Sequence, residues 1–225
     1  MRVKAAINGG TVHPSVPLTP DQLAEDVLAV AVAGAFAVHF HPRDGEGRET
    51  LAAHHVDAAL RAIRARRPPI PIGVTTGAWI SGRRLEQIRW WSELPDFASV
   101  NFDEEQAEEV AEELLSRGVG IEAGLCTPAA AERYLRFGRC MRVLLEPQER
   151  DVATAAANVE RMESVLAGDT APRVLHGTGV TAWPMLHLAR SRGYDGRIGF
   201  EDTLLLEDGA VASSNAGLVR AALAI

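Results

Sequence analysis

The chain has 225 residues, 47% of them apolar and 24% charged, an ordinary globular composition. A chain of this length can bury roughly 70% of its unfolded surface, so it needs no disulfide or metal merely to fold. Lys+Arg 23 against Asp+Glu 30 leaves a net charge of −7, which gives nucleic acid or an anionic membrane no electrostatic footing. Two cysteines, Cys126 and Cys140, are too few for a disulfide scaffold and suit a reducing compartment. The amino terminus shows no apolar leader, and no apolar run approaches the roughly 20 residues of a membrane span, so a cytoplasmic protein is expected.

In chain order, short apolar runs alternate with longer helical patterns. Strands are predicted over 3–7, 36–40, 70–74, 97–101, 120–123, 141–145, 173–175 and 197–200. Their centres do not alternate in polarity, as expected of parallel strands covered on both faces. The first helix begins at Thr19-Pro20-Asp21, a capping residue followed by proline in the first turn. Further helices are predicted over 54–66, 83–91, 104–116, 128–137, 152–166, 182–192 and 214–224, with Gly34, Gly118, Gly138 and Gly193 closing four of the eight. Eight βα units in succession, about 28 residues each, predict a single (β/α)8 TIM barrel with eight parallel strands spanning 1–225. The alternative, a doubly wound open sheet, lacks a G-x-G-x-x-G at its first turn.

Barrel chemistry gathers at the carboxyl ends of the strands. The polar residues fall there: Asn8, then His39, His41 and Arg43, then Thr75 and Thr76, Asn101, Glu122, Glu146, His176 and Glu201-Asp202. His39 and His41 are two residues apart on a strand, so both imidazoles can face the axis and supply half of a transition-metal site. With seven histidines in the chain, such a pair arises by chance about 0.2 times, so its place at a strand end carries more weight than the motif. Glu201 is a natural third ligand, because the last strand closes against the first. Such a set suits catalytic zinc, and also ferrous iron or manganese. Arg197, Gly199 and Glu201 share one parity, which turns Arg197 and Glu201 inward and leaves Asp202 at the rim. His176 reads as a competing ligand or as a substrate contact. Asn8, Arg43, Thr75, Thr76, Asn101 and Glu122 are candidate substrate contacts. The acidic run from Glu104 to Glu113 reads as a solvated helix face, the cysteines as small buried residues, and Trp90, Trp91 and Trp183 as packing or subunit contacts.

His39-Phe40-His41-Pro42-Arg43-Asp44 resembles the H-x-H-x-R-D signature of the β-keto acid cleavage enzymes, the family of 3-keto-5-aminohexanoate cleavage. Arg197-Ile198-Gly199-Phe200-Glu201-Asp202 is similar to its R-x-G-x-E-D segment, and Ser214-Asn215-Ala216-Gly217-Leu218-Val219 to the S-N-x-x-L-V that follows. Thr75-Thr76-Gly77 and Asn101-Phe102 match weaker positions. The resemblance implies one zinc held by His39, His41 and Glu201, with Asp202 as catalytic base and Arg197 as its orienting or substrate-polarising partner. It also implies condensation of a β-keto acid with acetyl-CoA or another acyl-CoA, then cleavage to acetoacetate and a new CoA thioester, in a homo-oligomer. The loop Gly9-Gly10-Thr11 lacks the carboxylate that receives the amino group of the founding substrate, which leaves the β-keto acid open. A metal-dependent hydrolase or aldolase acting on a small carboxylate without CoA is the second expectation, and a non-catalytic carboxylate-binding barrel the third.

Overall fold

The computed structural model describes all 225 residues. Eight parallel strands close into one barrel in sequence order: β1 (Val3–Ala6), β2 (Ala37–Phe40), β3 (Ile72–Thr75), β4 (Phe97–Asn101), β5 (Gly120–Leu125), β6 (Arg142–Leu145), β7 (Arg173–Leu175) and β8 (Asp195–Ile198). The helices between and after them are α1 (Pro20–Val32), α2 (Ala53–Ala65), α3 (Arg84–Arg89), α4 (Ala107–Ser116), α5 (Pro128–Phe137), α6 (Val152–Val165), α7 (Ala182–Arg192) and α8 (Asn215–Ala224). A single 3-10 turn, Gly179–Thr181, precedes α7. No helix is long and apolar enough to cross a membrane.

Side-chain caps start four of these helices close to where the sequence places them. Thr19 and Gln22 form a reciprocal capping box with Pro20 in the first turn of α1. Thr127, Asp151 and Ser214 each accept a backbone N–H at the starts of α5, α6 and α8. Alternate strand residues such as Val3, Ala5, Val38, Val74, Ile121 and Val143 meet the inner faces of the helices in one continuous apolar layer.

The other parity fills the barrel, and its lower half is charged. Lys4, Glu122 and Arg142 form one ion-paired group in which Lys4 and Glu122 have no solvent exposure. Phe97 lies beside them and occupies the space that a side chain at Gly73 would need. Glu122, predicted at the mouth, is therefore enclosed below it. The Arg142 guanidinium is 2.7 Å away and Lys4 closer still, and these cations hold its carboxyl at about 2 despite the burial that opposes ionisation.

Two further expectations shift. β8 stops at Ile198, and residues 199–203 turn back, with the amides of Asp202 and Thr203 both donating to the Gly199 carbonyl at 2.9 Å. Strand alternation no longer applies there, so Asp202 is buried rather than at the rim. The helix expected from Glu104 begins at Ala107, after Gln106 in a left-handed conformation (φ +56°). Glu104 is partly buried against Arg84 rather than solvated.

Candidate active site

The seam where β8 meets β1 and β1 meets β2 assembles the centre of the mouth. Ala6 stands beside His39 in the register, and the Ala6 carbonyl accepts from the Glu201 amide at 3.2 Å, so β1 holds His39 and Glu201 on its two sides. Asn8 continues this seam past the end of β1. Its side-chain oxygen accepts from the His41 amide at 2.8 Å and its nitrogen donates to the His41 carbonyl at 2.9 Å, replacing strand pairing where β2 has ended. Gly9 lies in the left-handed region (φ +52°), and a side chain there would overlap that of Glu201.

His39 and His41 are buried and set edge to face at 82°. Their Nε2 atoms are 3.0 Å apart, and Glu201 Oε2 lies 3.6 Å from the first and 3.3 Å from the second. Ligand atoms about 2.0–2.1 Å from a tetrahedral zinc stand about 3.3–3.4 Å from one another, so this triangle fits a cation at its centre. Glu201 Oε2 is buried without a hydrogen-bond partner, as expected of an oxygen aimed at an ion. Burial drives the pKa of His39 well below its ordinary value, leaving a neutral imidazole with a lone pair to offer. Burial opposes charge on His41 too, but Glu201 and Glu49 outweigh it and raise its pKa to about 9.

A second cluster touches the first. Arg197 donates to Glu201 Oε1 and to Asp202 Oδ1 at 2.7 Å, so one guanidinium grips both acidic neighbours. His176 Nδ1 stands 3.2 Å from Asp202 Oδ1, and its Nε2 stands 3.2 Å from Glu146 Oε2. Both nitrogens thus face carboxylates outside the His39–His41–Glu201 triangle. Burial would push the Asp202 pKa up, but Arg197 and His176 bring it below the ordinary value, so Asp202 is ionised at neutral pH.

Above both clusters opens a cavity of about 460 Å³, within the usual range for small-molecule sites. Asn101, Glu146, His176, Arg197 and Glu201 line it with Trp79, Asp103, Glu104, Cys126, Gln148 and Thr178. A second, much smaller cavity of about 30 Å³ shares Trp79, Asn101, Glu146, Arg197 and Glu201 with it and is also lined by His39, His41 and Thr75.

Several predicted contacts have other employment. Asn8 is spent on backbone groups, and Thr76 Oγ1 donates to the Ser99 carbonyl at 2.7 Å. Arg43 donates to the carbonyls of Gly9 and Gly47 and does not line the cavity. Asn101 and His176 do line it, and Thr75 lines the small cavity beside the two histidines. Glu49 and Trp79 escaped the sequence reading. Glu49 contacts His41 Nδ1, and the Trp79 indole N–H donates to Glu49 at 3.1 Å. The only hint of the first was Asp44-Gly45 with Gly47, a turn signal that returns the chain toward His41.

The sequence profile of the beta-keto acid cleavage enzymes matches residues 1–225. A 3-keto-5-aminohexanoate cleavage enzyme of Fusobacterium nucleatum is 27% identical over 96% of this chain and 88% of its own length. A 3,5-dioxohexanoate:acetyl-CoA acetone transferase of Paraburkholderia graminis is 24% identical over 96% of this chain and 84% of its own. Among solved structures, a ternary complex of ObcA with a C4-CoA adduct and oxalate superposes with a TM-score of 0.72 at 15% identity, over 92% of this chain and 63% of that longer one.

Proposed function

The chain belongs to the beta-keto acid cleavage enzyme family, an enzyme of carbon–carbon bond cleavage, and we propose that it joins a β-keto acid to acetyl-CoA or another acyl-CoA and releases the β-keto acid that carries the donor's acyl group (acetoacetate from acetyl-CoA) and a new CoA thioester, with one zinc ion per chain. In this reading residues 1–225 act as one catalytic domain, assembled as a homo-oligomer. The observation that carries it is the triangle of His39 Nε2, His41 Nε2 and Glu201 Oε2 beside the Arg197–Asp202 pair. Four carboxylates line the cavity, Asp103, Glu104, Glu146 and Glu201, against the single guanidinium of Arg197, a balance that favours a divalent cation.

Bound at His39, His41 and Glu201, zinc would supply Lewis acidity toward a keto oxygen. Asp202 takes the α-proton of the β-keto acid on a carboxylate oxygen, and its ionised state supports that role. Arg197 donates to one oxygen of Glu201 and to both oxygens of Asp202, at 2.7 and 3.3 Å, and so orients the base and neutralises the charge the two carboxylates share. His176 lines the cavity while touching Asp202, which supports it as the contact through which the proton leaves again. Thr75 and Asn101 face the substrate, whereas Asn8, Arg43, Thr76 and Glu122 hold the frame around it.

Metal analysis of the purified protein tests this reading beside His41→Ala and Glu201→Ala, with turnover assayed on a panel of β-keto acids with and without acetyl-CoA. About one zinc per chain, lost in both variants, and turnover that needs the thioester are expected. Zinc retained without Glu201 removes that ligand from the set. Turnover without any CoA ester favours a CoA-independent aldolase or hydrolase.

A further inference from the structure

The H-x-H-x-R-D segment does more than supply two histidines. After His41 the chain makes a tight hairpin and returns to it. The Asp44 amide donates to the Arg48 carbonyl at 2.9 Å, and the Gly47 amide to the Asp44 carbonyl at 3.0 Å. The Asp44 carboxylate accepts from the amides of Glu46 and Arg48 at 3.0 and 2.9 Å. Gly47 sits at φ +78°, a conformation that favours glycine, and Arg43 holds its carbonyl at 3.0 Å. Backbone pairing of Arg43 with Glu49 closes the hairpin.

This fold brings Glu49 back to the far side of the His41 ring. Glu49 Oε1 contacts His41 Nδ1, and the other oxygen accepts from Trp79 Nε1 at 3.1 Å. Trp79 in turn lies over Gly77, where a side chain would collide with the indole. The two histidines therefore differ: His39 Nδ1 is buried with no partner, whereas His41 Nδ1 is held by a carboxylate that is itself fixed.

We propose that Glu49, delivered by this hairpin and steadied by Trp79, is a positioning residue that fixes the proton of His41 on Nδ1 and aims the Nε2 lone pair into the metal triangle. The inference rests on the reading that His39, His41 and Glu201 hold the cation. A carboxylate behind a ligating imidazole fixes both its tautomer and its ring orientation and makes it a stronger donor. Asp44 and Arg43 then serve the site at one remove, by shaping the hairpin that carries Glu49.

The test is cation affinity, read without turnover. Metal-free parent, Glu49→Ala, Glu49→Gln, Trp79→Phe and Asp44→Ala are titrated with zinc against a chelating indicator, and the cobalt(II) forms are compared by visible absorption. Loss of Glu49 to alanine is expected to weaken zinc binding about 10–100-fold and to shift the cobalt bands, at an unchanged melting temperature of the metal-free protein. Glutamine, which keeps an acceptor oxygen, should restore much of the affinity. Trp79→Phe and Asp44→Ala should each lose part of it. Parent-like affinity and cobalt spectrum in Glu49→Ala would overturn the proposal while leaving the metal site standing. Parent-like affinity in a His41→Ala control overturns both, since the cation then does not depend on His41.

Discussion

Gly9 and Glu201 share a space that only one side chain can fill. Any residue but glycine at position 9 meets the Glu201 side chain and must also hold a left-handed backbone, a strain of about 1–2 kcal/mol. Gly9→Ala is therefore expected to lower both the melting temperature and the zinc content, because relieving the overlap pushes Glu201 out of the triangle. Metal analysis beside thermal unfolding checks this. The burial of Asp202 has a different consequence. Replacing its carboxylate by an amide keeps its shape and leaves Arg197 to Glu201, so Asp202→Asn is expected to keep parent-like zinc. Its turnover should fall about 10²–10⁴-fold. Near-normal turnover in that variant removes Asp202 from proton transfer and leaves His176 to be tested in the same assay.

At the scale of elements, one amide ties three of them together around the site. Asn215, at the start of α8, accepts from the Phe200 amide at 2.7 Å beside Glu201. It donates to the Ile7 carbonyl at the end of β1 at 2.7 Å and to Asp26 of α1 at 2.6 Å. All of these groups are wholly or largely enclosed, so Asn215→Ala leaves several polar groups unpaired at about 1–3 kcal/mol each. A loss of roughly 3 kcal/mol or more is expected from urea unfolding. Asp26 gives this junction a pH dependence. Burial raises its pKa from 3.8 to about 6, against the pull of Asn215. The folded form then holds a proton that the unfolded chain has lost, so this contribution is full below about pH 4 and fades as the pH rises through 6. It amounts to roughly 3 kcal/mol at most. Asp26→Asn should flatten stability across that window, as measured by urea midpoints from pH 4 to 7.

Across the whole molecule, the barrel carries its charge inside, and the apolar layer lies between strands and helices. Lys4, Glu122 and Arg142 close the lower half of the barrel, the first two without access to water, and each depends on the others. Burial lowers the Lys4 pKa, and Glu122 opposes that fall. Removing the shared carboxylate leaves two buried cations facing each other, so Glu122→Gln is expected to cost about 3–5 kcal/mol. The pH effect has the opposite sign to that of Asp26. With its pKa lowered from 4.5 to about 2, Glu122 stabilises the fold above pH 4.5, and this contribution disappears as the pH falls toward 2. Acid unfolding of the parent and of Glu122→Gln should differ mainly in that range.

The alternation of short apolar strands with capped helices was enough to specify eight βα units, because strand and helix periods and capping chemistry are local properties of consecutive residues. The spacing of His39 and His41 likewise brought both imidazoles to one face, and chain order placed Glu201 at the closing seam. Position in the barrel's depth was not local. Glu122 and Arg197 both occupy inward positions on their strands, but Glu122 meets Lys4 and Arg142 below the mouth whereas Arg197 reaches Glu201 and Asp202, and only the closed barrel decides which partners each one meets. Asp202 was misplaced because alternation ends where β8 turns, and Glu104 because a left-handed Gln106 delays α4. Glu49 lies eight residues beyond His41 with no periodic relation to it. Its place behind that ring exists only once the hairpin has closed, since contacts made by chain reversal and barrel closure depend on residues that no local pattern joins.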